Sequence, residues 1–190
     1  MEVEKKGAIP ESKKTKDSFG TEPTRAKGPG LVVFVLVGLV LGVAIKLFCL
    51  DILRVEGTSM EPAVADKSQV LVSKLAYGLV EPLGDRLLVQ WSEPQRDDVV
   101  LYFYNNRAVI KRCVAVAGDR LDFSTGFGYS LNVNEKKIPL TEAQYQKLKH
   151  NRQVPPGMIL AVGDNYQDSV DSRDYGFVPI ENVLGRIVTR

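Results

Sequence analysis

Ser59 stands in a short polar stretch, GTSMEP, at residues 57–62. A serine hydroxyl is a poor nucleophile until a base takes its proton. Histidine is the usual base, and the 190-residue chain has one, His150. It lies in KLKHNRQVPPG, at the polar end of an expected helix, and reads as a solvated helix end. Serine chemistry here needs another base, and three lysines compete: Lys67, Lys74 and Lys111. Lys111 interrupts an apolar strand pattern, VIKRCVAVAG. Alternation puts Val109, Lys111 and Cys113 on one face and Arg112 on the other. Burial disfavours an ammonium and lowers its pKa, and a neutral lysine is a competent base. A lysine that snorkels from an edge strand fits the same pattern, and the residues alone leave Lys67 and Lys74 open.

A second concentration of polar groups is GDNYQDSVDSRDYGFVP. It packs Asp164, Asn165, Asp168, Ser169, Asp171, Ser172, Arg173 and Asp174 together. It lacks the central glycine and closing glutamate of an EF-hand loop. A solvated loop is one reading. The other is a polar network in which Asp171 pairs with Arg173 and Ser169 offers its hydroxyl to a neighbouring charge or base. One histidine and two cysteines, Cys49 and Cys113, are too few for a four-ligand zinc site. No metal or cofactor is expected. The cysteines read as buried thiols, not as a disulfide framework.

These groups must be positioned by the rest of the chain. A net charge of +2 makes no strong demand for nucleic acid, and 44% hydrophobic residues are enough for a core. Residues 1–29 are rich in Lys, Glu, Ser, Thr, Gly and Pro without hydrophobic period, and read as a disordered tail. Residues 30–50 carry GLVVFVLVGLVLGVAIKLFCL, broken only by Lys46. About 20 apolar residues span a bilayer as a helix, and a lysine near one end can snorkel to the interface. No small-x-small cleavage site follows, so the segment reads as an uncleaved anchor in contact with lipid. Six lysines and Arg25 precede it, which puts the N-terminus on the cytoplasmic side and residues 51–190 outside. From Asp51 on, short runs rich in Val, Ile, Leu and aromatics alternate with turn signals. That spacing predicts a mostly β, antiparallel domain. One short surface helix interrupts it at TEAQYQKLKH, with Thr141 and Gln144 forming a capping box and PPG ending it.

In this order, behind an anchor, the motifs resemble those of bacterial type I signal peptidases over nearly all of residues 30–190. GTSMEP is similar to the nucleophile box. QRDDVVLY is similar to an Arg-Gly-Asp box, with Asp97 where glycine is usual. VIKRCVAVAGD is similar to a Lys-Arg…Gly-Asp box, with Ala117 where proline is usual. GDNYQDSVDSRDYG is similar to the family's last box. The resemblance implies an all-β catalytic domain beside the bilayer. It implies a serine endopeptidase that removes signal peptides from exported preproteins after small-x-small motifs, through a Ser-Lys dyad and an acyl-enzyme. It makes Ser59 the nucleophile, Lys111 the base and Ser169 the residue orienting that lysine, with Asp171 and Arg173 in support. Gly57 stands where some members carry an oxyanion-donating serine, which leaves the Ser59 backbone N–H as oxyanion donor. Substrate-binding residues by family position are Val55, Gly57, Met60 and Val109, with an extended peptide pairing near residues 52–57 and 108–111. The implied location is the bacterial cytoplasmic membrane, single-pass, catalytic domain outside. Two other readings stand beside this one. An anchored β domain could bind peptides without catalysis. A Ser-Lys self-cleaving repressor would need an N-terminal DNA-binding module, where this chain has a tail and an apolar segment.

Overall fold

The computed structural model describes residues 30–81 and 87–189; the expected disordered tail lies outside them. Helix α1 (Leu31–Phe48) has 18 residues, a mean hydropathy of 2.9 and no buried residue, so it is long and apolar enough to cross a membrane. At 1.5 Å per residue it is about 27 Å long, close to the hydrocarbon thickness of a bilayer. Strand β1 (Leu50–Arg54) follows after a single residue, Cys49, so Leu50 is already part of the β domain.

The remaining strands are β2 (Gln69–Ser73), β3 (Gly78–Val80), β4 (Leu87–Gln90), β5 (Val99–Tyr104), β6 (Arg107–Val116), β7 (Asp122–Ser124), β8 (Tyr129–Val133), β9 (Lys136–Leu140), β10 (Met158–Val162), β11 (Val178–Pro179) and β12 (Val183–Thr189). A seven-stranded sheet runs β1-β2-β12-β5-β6-β10-β11; β3-β4 and β7-β8-β9 form two smaller sheets. Every pairing among these strands is antiparallel, as the short alternating runs predict.

Local chemistry accounts for the key register. In YNNR, Asn105 and Asn106 take φ of 49° and 60°, the left-handed pair of a two-residue hairpin turn. That turn fixes β5 against β6, with Tyr104 opposite Arg107 and Val100 opposite Lys111. Strand β5 is apolar on both faces because each face packs into a core, Val99 and Leu101 in one cluster and Val100 and Tyr102 in another. Asp97 has φ 72°, which explains why glycine is favoured there; an aspartate tolerates the left-handed region better than most residues, and its carboxylate pairs with Lys136.

Helix α2 (Glu142–Leu148) starts with the expected capping box between Thr141 and Gln144. It stops well before PPG, because the side-chain amide of Asn151 already caps the Leu148 carbonyl. The two thiols are free. Cys113 is buried and its thiol is pushed up to about 12 by burial, whereas Cys49 is half-buried rather than enclosed.

Candidate active site

The turn after β1 carries Ser59, and its geometry depends on two glycines. Gly57 has φ 98°, a conformation that side chains rarely adopt, and its N–H donates to Asp66 Oδ1 at 2.8 Å. Gly163, just past β10, lies directly behind Ser59. A Cβ there would sit 2.2 Å from Ser169 Oγ and 2.5 Å from the Ser59 carbonyl oxygen. The loop after Gly163 then holds the turn through its backbone. Asn165 N–H donates to the Ser59 carbonyl at 3.0 Å, and its side-chain amide donates to the Thr58 carbonyl at 3.3 Å. The Thr58 hydroxyl donates to Asp168. Arg112, on the opposite face of β6 from Lys111, grips Asp164 bidentately at 2.7 and 2.6 Å. This loop is a clamp on the Ser59 turn rather than a solvated excursion.

Strand β6 delivers Lys111 from the other side. Its Nζ lies 2.6 Å from Ser59 Oγ, and the residue is 4% exposed. Burial is the main influence on this amine and holds its pKa below the ordinary 10.5; the Asp171 and Asp164 charges act against that, and Arg173 acts with it. The competing lysines go elsewhere. Lys74 pairs with Asp51, Lys67 is exposed, and His150 is exposed past the end of α2.

Behind the Ser59–Lys111 pair sits a buried polar network at the N-terminus of α3 (Ser172–Tyr175). Asp171 caps this helix and is fully buried; Arg173 is 2% exposed. Asp171 Oδ1 accepts from the Arg173 N–H and Nε, at 3.1 and 2.9 Å. Its Oδ2 accepts from Arg173 Nη2 at 2.9 Å, Gly163 N–H at 2.9 Å and Ser169 Oγ at 2.6 Å. The expected Asp171–Arg173 pair is therefore present. The Ser169 hydroxyl gives its proton to Asp171, and the hydrogen bond of Lys111 goes to Ser59.

A cleft opens in front of the Ser59–Lys111 pair, lined by Leu53, Arg54, Val55, Glu56, Ser59, Met60, Leu101 and residues 108–111. Val55, Met60 and Val109 belong to this lining; Gly57 does not. Both walls are strand edges. Among the described residues, strand β1 is the outermost strand of its sheet, and β10 pairs β6 only from Arg112 onward, which leaves residues 108–111 without a strand partner on that side. Gly163 and Thr58 are positioning residues that residue types alone did not single out, and Asn165 stood there only as one of a polar cluster. The one available signal was a glycine closing an apolar strand, MILAVG, at the head of the polar loop.

A model of the family described as signal peptidase, peptidase S26, matches residues 29–190. The chain belongs to that family. It is accordingly a peptidase, a hydrolase of the signal peptidase kind. Signal peptidase I of Bacillus caldolyticus is 30% identical over 160 residues, covering 75% of this chain and 80% of that protein. Thylakoidal processing peptidase 1 of the Arabidopsis thaliana chloroplast is 30% identical over 138 residues, covering 72% of this chain and 40% of that protein. A crystal structure of a signal peptidase I from Enterococcus faecalis V583 is 26% identical and covers 52% of this chain and 98% of that one, with a TM-score of 0.37.

The peptidase should be intolerant of a side chain at residue 163. Gly163→Ala puts a methyl against the Ser59 carbonyl and Ser169, so either the Ser59 turn or the loop must move. Displacements of about 1 Å at reacting atoms cost on the order of 10²-fold in rate, and overpacking costs about 1–3 kcal/mol. Cleavage of a peptide substrate and thermal unfolding of the same preparation measure both. A variant with the parent's activity shows that the close approach is dispensable.

Proposed function

We propose that this chain is a membrane-anchored serine endopeptidase that removes signal peptides from exported preproteins, with Ser59 as nucleophile and Lys111 as general base. The observation that carries the reading is the 2.6 Å contact between Lys111 Nζ and Ser59 Oγ, with the amine desolvated. Neutral Lys111 takes the hydroxyl proton as Ser59 attacks the scissile carbonyl. The same nitrogen then protonates the leaving amine, and water resolves the acyl-enzyme. The Ser59 N–H donates to no protein acceptor among the described residues, which leaves it free for the oxyanion. Ser169 acts on Lys111 through the Asp171 network that packs behind it.

The two unpaired strand edges flanking the cleft favour an extended peptide that pairs with both. Val55, Met60 and Val109 then contact its side chains. Close packing of Val55 and Met60, at 7% and 1% exposure, favours small residues one and three positions before the cut. In this reading residues 1–29 are cytoplasmic, residues 30–50 cross the bacterial cytoplasmic membrane, and residues 51–190 work on its outer face. The preceding lysines support that orientation.

The test uses full-length protein in detergent or lipid with a preprotein substrate. Wild type cleaves once, after a small-x-small motif. Ser59→Ala folds and does not cleave. Full cleavage by Ser59→Ala sinks the assignment, and absence of cleavage by wild type favours the peptide-binding reading instead.

A further inference from the structure

Lys74 lost its claim as a base, yet it is not idle. Its backbone N–H donates to the Cys49 carbonyl at 2.9 Å, and its Nζ donates to the Lys46 carbonyl at 3.4 Å, in the last turn of α1. The same Nζ pairs with Asp51 Oδ2 at 3.0 Å. Asp51 is in turn fixed by its other oxygen, which accepts the Ile52 N–H at 2.9 Å. Both partners of the ion pair are about four-fifths buried, with side chains 21% and 22% exposed. One side chain thus joins the end of the apolar helix, the single-residue connection and the first strand.

The surrounding geometry makes that join consequential. Residues 43–56 contain no glycine and no proline, so the chain has no built-in hinge between α1 and the nucleophile turn. Strand β1 is five residues, about 17 Å at a strand's rise. Its register with β2, Leu50 opposite Ser73, puts Lys74 just past the helix end. A crevice lined by Gly42, Ile45, Lys46, Leu50, Asp51, Ile52 and Leu71 lies between α1 and the sheet at this corner. Apolar packing there is incomplete, so the polar contacts of Lys74 set the angle between helix and strand.

We infer that Lys74, with Asp51, is a positioning residue that fixes the tilt and height of the Ser59 turn above the membrane surface. This rests on the membrane-anchored peptidase reading. A preprotein held by its own membrane segment offers its scissile bond at one depth, so the enzyme's site must stand at that depth. A free peptide has no such constraint. Lys74 therefore acts on one class of substrate and leaves the chemistry untouched.

The experiment compares wild type, Lys74→Met, Lys74→Arg and Asp51→Asn as full chains in lipid vesicles. Each is given a membrane-embedded preprotein and a short soluble peptide spanning the same cleavage site. Lys74→Met and Asp51→Asn are expected to process the preprotein roughly tenfold more slowly, with kcat/KM for the soluble peptide unchanged. Lys74→Arg, which keeps a cationic donor, stays close to wild type on both. Equal preprotein processing by Lys74→Met and wild type overturns the inference. So does an equal fall on both substrates, which is the mark of damage to the fold. A wild type that cleaves neither substrate removes the peptidase reading itself, an outcome distinct from both.

Discussion

Lys111→Met is expected to abolish preprotein cleavage while making the domain harder to unfold. Methionine matches the length and volume of the lysine stem but carries no proton acceptor. Ser59 is then left without a base at 2.6 Å, and nothing else among the described residues replaces it. The loss in kcat/KM should be roughly 10⁴-fold, the upper range for a positioned general base. Stability should move the other way. The amine is 4% exposed and its hydrogen bond goes to a hydroxyl, not a carboxylate. Its burial is an unfavourable contribution that an apolar isostere of similar size removes, worth about 1 kcal/mol or a few degrees in Tm. Gain of stability with loss of activity is the expected signature of a group kept for chemistry.

The pH dependence of both properties follows from one fact, the lowered pKa of Lys111. Cleavage by wild type should rise with pH through a value below 10.5, as the amine loses its proton and becomes a base. Lys111→Arg should be inactive throughout, because a guanidinium stays protonated. For stability, the unfolded chain binds more protons than the folded one between the folded pKa and 10.5. The contribution of Lys111 to stability therefore rises with pH across that window and is lowest beneath the folded pKa. Thermal unfolding of wild type and Lys111→Met from pH 6 to 10 should show the widest gap at the acid end, narrowing upward. A methionine variant less stable than wild type at pH 6 contradicts the argument; so does a flat pH–rate profile when chemistry is rate-limiting.

Much of this arrangement was legible in residue types. Alternation along β6 predicts that Lys111 shares a face with Cys113, and both are buried. The capping box of α2, the asparagine hairpin turn and the long apolar helix α1 follow from local rules that tertiary packing does not override. What local rules leave open is which lysine meets Ser59. The two residues are 52 positions apart, and only the path β1–β2–β12–β5–β6 brings them together. Val109 shows the same limit in miniature. It lies on the face of Lys111, yet it is half-buried and lines the cleft, because β10 stops covering β6 at Arg112. Ser169 is a further case. Its hydroxyl has a base and a carboxylate as competing acceptors in the sequence pattern, and only the fold shows the carboxylate, two residues away, to be its partner.

The largest structural effect should come from Asp171→Asn. The change is nearly isosteric, but the carboxylate is met only by donors: the Arg173 N–H, Nε and Nη2, the Gly163 N–H and the Ser169 hydroxyl. A carboxamide turns one acceptor into a donor, so one side of the site faces donor against donor. It also leaves the Arg173 guanidinium, 2% exposed, without its counter-charge. Breaking one partner of such a pair costs about 3–5 kcal/mol, a large part of the roughly 5–15 kcal/mol that holds a domain together. Arg173→Met should cost less. It removes the cation but leaves Asp171 hydrogen-bonded to Ser169, Gly163 and the backbone N–H of residue 173, while freeing the Pro139 and Ser169 carbonyls that Arg173 now satisfies. The double variant should be more stable than the sum of the two losses, because neither charge is then stranded. Urea unfolding of the four proteins measures the coupling. Strict additivity would mean that the pair is not the unit holding this corner together. Activity should fall with Asp171→Asn even in conditions where the variant stays folded, since the Gly163 and Ser169 contacts behind the Ser59 turn depend on the same oxygen, Asp171 Oδ2.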